Sequence, residues 1–247
     1  MGLPVRFVAV TYNLWATNRW PEREPALRSF LRSHAPDILC VQELRDVTRA
    51  VLDEELPTHA RIDDSFEGWT KEGNIYWLST MFEMLEYGAE NIGQLSPLRR
   101  LFWARLQLKG TERTLFVSTV HFTWQGNPRE KEEGFSPRLD EARRSLQAIQ
   151  RLASSEEPVL FMGDLNDQVN AIRILRAQGL ADCFTGRGAF PVPTIPARPT
   201  AGGTPQTIDW QFYRGPIRPM TSEVLDYYEG DFAPSDHKPL IATHALV

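Results

Sequence analysis

The chain has 247 residues, 42% of them hydrophobic and 24% charged, which is too long for a mini-protein and short for two well-filled domains, so a single domain over residues 1–247 is expected. Twenty-seven basic against 32 acidic side chains leave a formal net charge of −5. That excludes a protein that coats nucleic acid through a basic excess, but not an enzyme that meets one or two phosphates locally.

The opening residues Met1 to Arg6 lack a basic start followed by an apolar core and a cleavage site, and Arg6 stands where a myristoylation signal wants Ser or Thr. No apolar run reaches the length of a membrane span, so a cytoplasmic monomer is expected. The first strand is predicted over residues 5–14, where Val8-Ala9-Val10-Thr11-Tyr12 runs into Asn13. A helix over 22–33 follows, with Leu27, Phe30 and Leu31 on one face and Pro36 as its stop. The next strand, 37–42, carries Ile38-Leu39-Cys40-Val41 and then Gln42 into Glu43. Cys40 reads there as a small buried hydrophobe, and two cysteines, Cys40 and Cys183, are too few for a disulfide framework or a four-thiolate zinc site.

Strands are predicted next over 74–79, 101–108 and 114–122, the last running through Val120 into His121. Residues 124–135 mix Gly, Pro and both charge signs and read as a long loop. The clearest helix is 137–153: Ser136 suits the N-cap, Pro137 the first turn, and Asp140 and Glu141 the positive end of the helix dipole. Its Leu139, Ala142, Leu146, Ile149 and Leu152 recur at helical spacing. A strand over 159–162 leads into Gly163-Asp164-Leu165-Asn166, then a helix over 167–178 closed by Gly179. The Pro- and Gly-rich stretch 185–206 reads as a second long loop, and strands over 207–213, 223–226 and 240–245 complete the chain. Strands outnumber helices and several connections are too short for a crossover, so two packed sheets with helices outside are expected rather than a parallel wind.

Polar residues cluster at the strand ends, which are rigid mounts for groups that must grip a metal and a phosphate. Each has an ordinary reading alone. Glu43 could be a solvated residue at a helix start, His121 a structural histidine, and Gly163 to Asn166 a turn. Asp209 is harder to dismiss, because a carboxylate inside Thr207-Ile208-Asp209-Trp210-Gln211-Phe212 needs a partner. Ser235-Asp236-His237 is not a hydrolase triad, since adjacent residues cannot take that geometry and no Gly-x-Ser-x-Gly elbow exists. Asp236 and His237 could nonetheless face the same rim if the last strand runs opposite to the others.

Thr11-Tyr12-Asn13, Gln42-Glu43, Val120-His121-Phe122, Gly163-Asp164-Leu165-Asn166, Ile208-Asp209-Trp210 and Ser235-Asp236-His237 together resemble, in order, the motifs of the endonuclease/exonuclease/phosphatase (DNase I-like) superfamily. The resemblance implies a four-layer α/β/β/α sandwich of two face-to-face mixed sheets with helices on both outer sides. It also implies a divalent-metal-dependent phosphohydrolase, with Mg²⁺ or Mn²⁺ as cofactor and a phosphodiester of a nucleic acid or nucleotide as substrate.

A hard cation answers the charge that builds up in phosphodiester hydrolysis, and it asks for carboxylates and water. Glu43 is the leading ligand, with Asn13 and Asp236 beside it. By resemblance Asp164 orients or activates the attacking water, and Asn166 donates to a phosphate oxygen. His237 donates to the phosphate or moves a proton, Asp209 fixes its tautomer, and His121 adds a second donor. Trp124 could stack a base or sugar at the edge. Trp15 stands two positions after Asn13, where AP-endonuclease-like members carry an acid, which argues against that branch. The histidine at 121 leans toward the DNase, sphingomyelinase and deadenylase branches. A sphingomyelinase-like phospholipid esterase, a sugar or inositol phosphate esterase, and a catalytically silent binding module are the alternatives. Arg99-Arg100, Arg187 and Arg198 are weaker candidates, and Arg143-Arg144 fall on the polar side of their helix.

Overall fold

The structure, a computed structural model, describes residues 4–247; Met1, Gly2 and Leu3, part of the N-terminal segment read above for targeting signals, lie outside it. Among the described residues, twelve strands form two six-stranded mixed sheets. The first sheet contains β1 (Val5–Asn13), β2 (Ile38–Gln42), β3 (His59–Arg61), β4 (Gly73–Leu78), β11 (Ile217–Val224) and β12 (Leu240–Leu246). Its order is β11-β12-β1-β2-β4-β3. The second contains β5 (Phe82–Glu90), β6 (Leu101–Leu108), β7 (Thr114–His121), β8 (Val159–Asp164), β9 (Ala181–Asp182) and β10 (Asp209–Arg214). There the order is β5-β6-β7-β8-β10-β9.

The period-2 alternation of each strand decides which face meets which layer. Phe7 and Ala9 of β1, Ile38 and Cys40 of β2, Leu115 and Val117 of β7, and Leu160 and Met162 of β8 fill the space between the sheets. Their sequence neighbours point outward. Val10, Tyr12, Leu39 and Val41 pack with Leu27, Phe30 and Leu31 of α1 (Glu24–Ser33) and with Val51 and Leu52 of α2 (Asp46–Glu55). On the far side Phe116, Val120, Phe161, Trp210 and Phe212 meet Ala142, Leu146 and Ile149 of α5 (Pro137–Leu152) and Ile172 and Leu175 of α6 (Asn170–Ala177). Each buried aliphatic or aromatic side chain contributes about 1.5–3 kcal/mol, so the four layers are held by three apolar seams. Two short helices, α3 (Gly68–Lys71) and α4 (Pro128–Glu133), and a 3-10 turn over Thr185–Arg187 lie in the connections.

Several sequence expectations need correction. The strand expected over 207–213 begins only at Asp209, because Thr194 Oγ1 takes the N–H groups of Ile208 and Asp209. That expected over 223–226 is the tail of a strand starting at Ile217. The helix α6 begins at Asn170, with Asp167 Oδ1 accepting from the N–H groups of Val169 and Asn170 instead of entering the helix. The loop 124–135 contains α4, whose Asn127 side chain accepts from Arg129 N, with Pro128 in the first turn. Ser136 occupies the N-cap position of α5 without making a side-chain cap bond. Glu141, near that helix start as expected, is 1% exposed, and its carboxylate accepts from Thr123 N and Oγ1 at 2.9 and 2.5 Å. No helix among the described residues is long and apolar enough to cross a membrane.

Candidate active site

Strand direction brings the polar strand ends to one rim. β1 runs parallel to β2, and β7 parallel to β8, so Asn13, Gln42, His121 and Asp164 finish together in two pairs. β12 is antiparallel to β1, and β10 to β8, so the starts of those strands reach the same rim. His121 and Asp209 both stand in register with Asp164. The inner-facing series that is apolar deeper down becomes polar at the mouth. Gln42 Nε2 donates to Thr11 Oγ1 at 3.1 Å and to Thr119 Oγ1 at 2.8 Å, which links the two sheets just below the rim.

Asn13 is the hub above that layer. Its amide nitrogen donates to Glu43 Oε1 at 3.2 Å and to Asp164 Oδ2 at 3.0 Å, while its Oδ1 accepts from Trp15 N at 2.9 Å. His121 Nε2 lies 3.4 Å from Asp164 Oδ2 and 3.9 Å from Glu43 Oε1. On the other side, His237 Nδ1 is 2.8 Å from Asp209 Oδ2, and its Nε2 is 3.8 Å from Asp164 Oδ2 and 3.9 Å from Asp236 Oδ1. Ser235 Oγ donates to the Asn13 carbonyl at 2.7 Å and accepts from His237 N at 3.1 Å. Asn166 N donates to Asp164 Oδ1, and Asn166 Nδ2 to the Phe122 carbonyl at 3.0 Å. Eight of the nine residues singled out from the sequence are thus brought together in one connected network. Trp124, 49% exposed, stands one residue beyond Thr123, whose three polar atoms are held by Glu141 and Arg138 of α5.

Burial sets the protonation of these groups. Burial, then the charge of Asp209, pushes the Asp164 carboxyl up to about 7 against the pull of His237. Burial alone would depress the His237 imidazole. The Asp209 carboxylate bonded to it, with Asp164 and Asp236 nearby, reverses that and holds it well above its usual value. His121 goes the other way: burial, and then the cations Arg99, His237 and Arg45, keep it neutral well below the ordinary histidine range. Two imidazoles across one mouth therefore carry different charge. Asp236 is raised by burial and further by the neighbouring Glu43 charge.

The donor set fits a hard divalent cation. Glu43 and Asp236 have side chains 23% and 28% exposed, and neither has an arginine or lysine partner among the described residues. Asp164, Asp209 and His237 also offer ligand atoms within 4.8 Å of one another. His237 Nδ1 is already bonded to Asp209, however, so that trio is a hydrogen-bonded pair with a third group beside it rather than an open cage.

Sequence reasoning missed Gln94, Arg138 and Glu141 as supports and named Arg99 only as a weaker candidate. Gln94 Nε2 donates to the His121 carbonyl at 2.6 Å. Arg99 Nη1 donates to the Phe122 carbonyl at 3.2 Å while its Nε meets Glu72 at 3.2 Å. Arg143 and Arg144 are exposed as expected, and so are Arg187 and Arg198. Arg138 and Glu141 sit on the apolar side of α5, and their i, i+4 spacing with Ala142 and Ser145 was the available signal.

No curated protein matches the chain. Among solved structures, an endonuclease/exonuclease/phosphatase family protein from Bacteroides thetaiotaomicron superposes with a TM-score of 0.80 at 19% identity over 100% of both chains. D. rerio TDP2 complexed with a single-strand DNA product gives 0.79 at 17% identity, over 97% of this chain and 98% of that one. A mannosyl-6-phosphatase from Bacteroides thetaiotaomicron VPI-5482 gives 0.76 at 18% identity, over 95% and 98%. The family model for the endonuclease/exonuclease/phosphatase family matches residues 10–237, so the chain belongs to that family.

Proposed function

We propose that this chain is a phosphodiesterase that uses Mg²⁺ or Mn²⁺ to cleave a nucleic acid or nucleotide phosphodiester. The observation that carries the reading is the convergence of Glu43, Asn13, Asp164, His121 and the His237–Asp209 pair on one rim. Glu43 and Asp236 would hold the cation, with Asn13 orienting Glu43. Bound there, the cation neutralises charge on the phosphate and fixes its orientation. Asp164, with its carboxyl near neutrality, orients the attacking water and takes its proton. His237, held protonated by Asp209, donates from Nε2 to the phosphate from the opposite side. His121 and Asn166 donate to the non-bridging oxygens as charge grows, and Trp124 offers a face on which a base can stack.

The sugar phosphate named for the mannosyl-6-phosphatase supports a phosphomonoester as the second reading. A panel separates the two: single- and double-stranded DNA, RNA, bis(p-nitrophenyl) phosphate, sphingomyelin and a sugar phosphomonoester, each with Mg²⁺, with Mn²⁺ and with EDTA. Metal-dependent turnover of the diesters is expected. Turnover of the monoester alone gives the second reading, and turnover that survives EDTA removes the metal from both.

A further inference from the structure

In the first sheet, Asn13 and the Asp236–His237 segment come from opposite ends of the chain, and the strand ladder stops short of both. β1 and β12 pair only as far as Thr11 with Leu240. Asn13 and the segment carrying Asp236 and His237 lie beyond the last rung, where no ladder bond fixes their separation. Among the described residues, two side chains span that gap by hydrogen bonds, beside the stacking of Arg19 on Phe232. One is Ser235, whose hydroxyl donates to the Asn13 carbonyl. The other is Arg23, which belongs to neither motif.

Arg23 is 0% exposed. Its Nη1 donates to the Pro234 carbonyl, immediately before Ser235-Asp236-His237. Its Nη2 donates to the carbonyls of Trp15 and Ala16 at 3.4 and 3.2 Å, and its Nε to Asn18 O at 2.7 Å. The guanidinium carbon lies 5.2 Å from the Trp15 ring centroid and 5.6 Å from that of Trp20. Every hydrogen-bond acceptor is a backbone carbonyl and none is a carboxylate. A buried cation is costly without a paired anion, so its retention needs a reason other than an ion pair. Only a planar fork reaches carbonyls on two separate segments at once. The stem is rigid as well, because Arg23 stands at the N-cap position of α1, and α1 is seated on the outer face of β1 and β2 through Leu27, Phe30 and Leu31.

We propose that Arg23 is a positioning residue: its buried guanidinium ties the turn after Asn13 to the segment before Asp236 and His237, and thereby sets the width of the phosphoryl site. The catalytic consequence rests on the function proposed above. The tie itself does not. It also accounts for Trp15 and Ala16, non-glycine residues at φ +57° and +47° that turn their carbonyls onto the guanidinium.

Arg23→Lys and Arg23→Ala test it. Both are expected to keep a cooperative melt and the wild-type far-ultraviolet spectrum. Turnover should fall about 100-fold with KM nearly unchanged, the effect of displacing a reacting group by about 1 Å. Lysine should not rescue, whereas millimolar guanidinium, and not ammonium, should restore turnover in Arg23→Ala. The proton on His237 Nδ1, bonded to Asp209, gives a reading free of activity: its downfield resonance should broaden or vanish in Arg23→Lys. Near-wild-type turnover in Arg23→Lys, or an unchanged His237 resonance, overturns the proposal. Loss of the cooperative melt in both variants overturns it too, since Arg23 would then be a folding residue. Should the wild type hydrolyse no phosphate ester, the function proposed above fails alone, and the His237 resonance decides the role of Arg23.

Discussion

Glu43 and Asn166, each just past a strand end, take the left-handed conformation, at φ +53° and +47°. A strand that simply continued would carry the next side chain past the mouth, and the left-handed step turns it back. For a residue with a Cβ that conformation costs roughly 1–2 kcal/mol, which asparagine tolerates better than alanine. Asn166→Gly loses the bond to the Phe122 carbonyl but relieves the backbone, so its stability should stay within about 1 kcal/mol of wild type. Asn166→Ala loses the bond and keeps the backbone cost, so it should be less stable than the glycine variant by about 1 kcal/mol or more in urea. Equal midpoints for the two would remove the argument from backbone strain. A second residue, His244, has no place in the chemistry. It is stacked on Phe7 at 5.7 Å, bonded to Gln211 at 3.1 Å, and lowered by burial from 6.5 to about 4. Below pH 6.5 the unfolded chain binds a proton that the fold refuses until about pH 4, so stability is full above that window and is lost as pH falls through it. The whole loss is about 3 kcal/mol, and His244→Phe should flatten that part of the stability–pH curve. Asp164, raised to about 7, works in the opposite sense, so the difference between the two proteins isolates His244.

Elements were legible where apolar alternation was strong. The strands at 5–13, 38–42, 101–108 and 114–121 and the long helix at 137–152 fall within one or two residues of expectation. β5 was not, because Glu83, Leu85, Glu86 and Tyr87 leave an edge strand without a clean apolar face. α2 was hidden for a related reason: its cap comes from Thr48, whose hydroxyl accepts from Arg45 N and donates to Arg45 O, rather than from a side chain at the N-cap. Gly163 carries an element-level lesson. Within Gly163-Asp164-Leu165-Asn166 it read equally as the start of a turn, yet it is a strand residue paired with Val120. It lies at φ +144°, and an added Cβ would stand 2.1 Å from the Val120 carbonyl oxygen. Backbone fills that space, so nothing can move aside cheaply. Gly163→Ala should cost roughly 3 kcal/mol or more and separate β7 from β8 at the rim, displacing His121 from Asp164. A melting temperature within a degree or two of wild type would contradict this.

At the scale of the molecule, two sheets stacked face to face concentrate like charges at one mouth. Glu43, Asp164, Asp209 and Asp236 gather there against one protonated histidine, His237, since His121 is held neutral. The residue types and their order made that gathering readable from the sequence, because Asn13, Glu43 and Asp164 stand at the ends of apolar strands and Asp209 and Asp236 at or just before the starts of others. The ties that set the spacing were not readable. Arg23 holds the site through segments remote in sequence, and a buried arginine bonded to carbonyls looks, in sequence, like any surface arginine; Gln42 was visible beside Glu43, but its bond to Thr119 across the sheets was not. The crowding has a consequence that can be measured without substrate. Carboxylates held together at a cost in repulsion are stabilised by any cation that binds the fold and not the unfolded chain. Mg²⁺ at about 100 times its dissociation constant should add about 2.7 kcal/mol, which for a chain of this length is a rise of roughly 5–10 °C in melting temperature. Sodium at matched ionic strength should not reproduce it, because screening acts weakly on buried groups. In Glu43→Gln the repulsion on Asp236 is relieved and the ligand proposed for the cation is gone, so the protein should melt no lower than wild type in EDTA and should scarcely respond to Mg²⁺. An undiminished Mg²⁺ response in that variant would move the cation away from Glu43, toward the Asp164–Asp209–His237 trio.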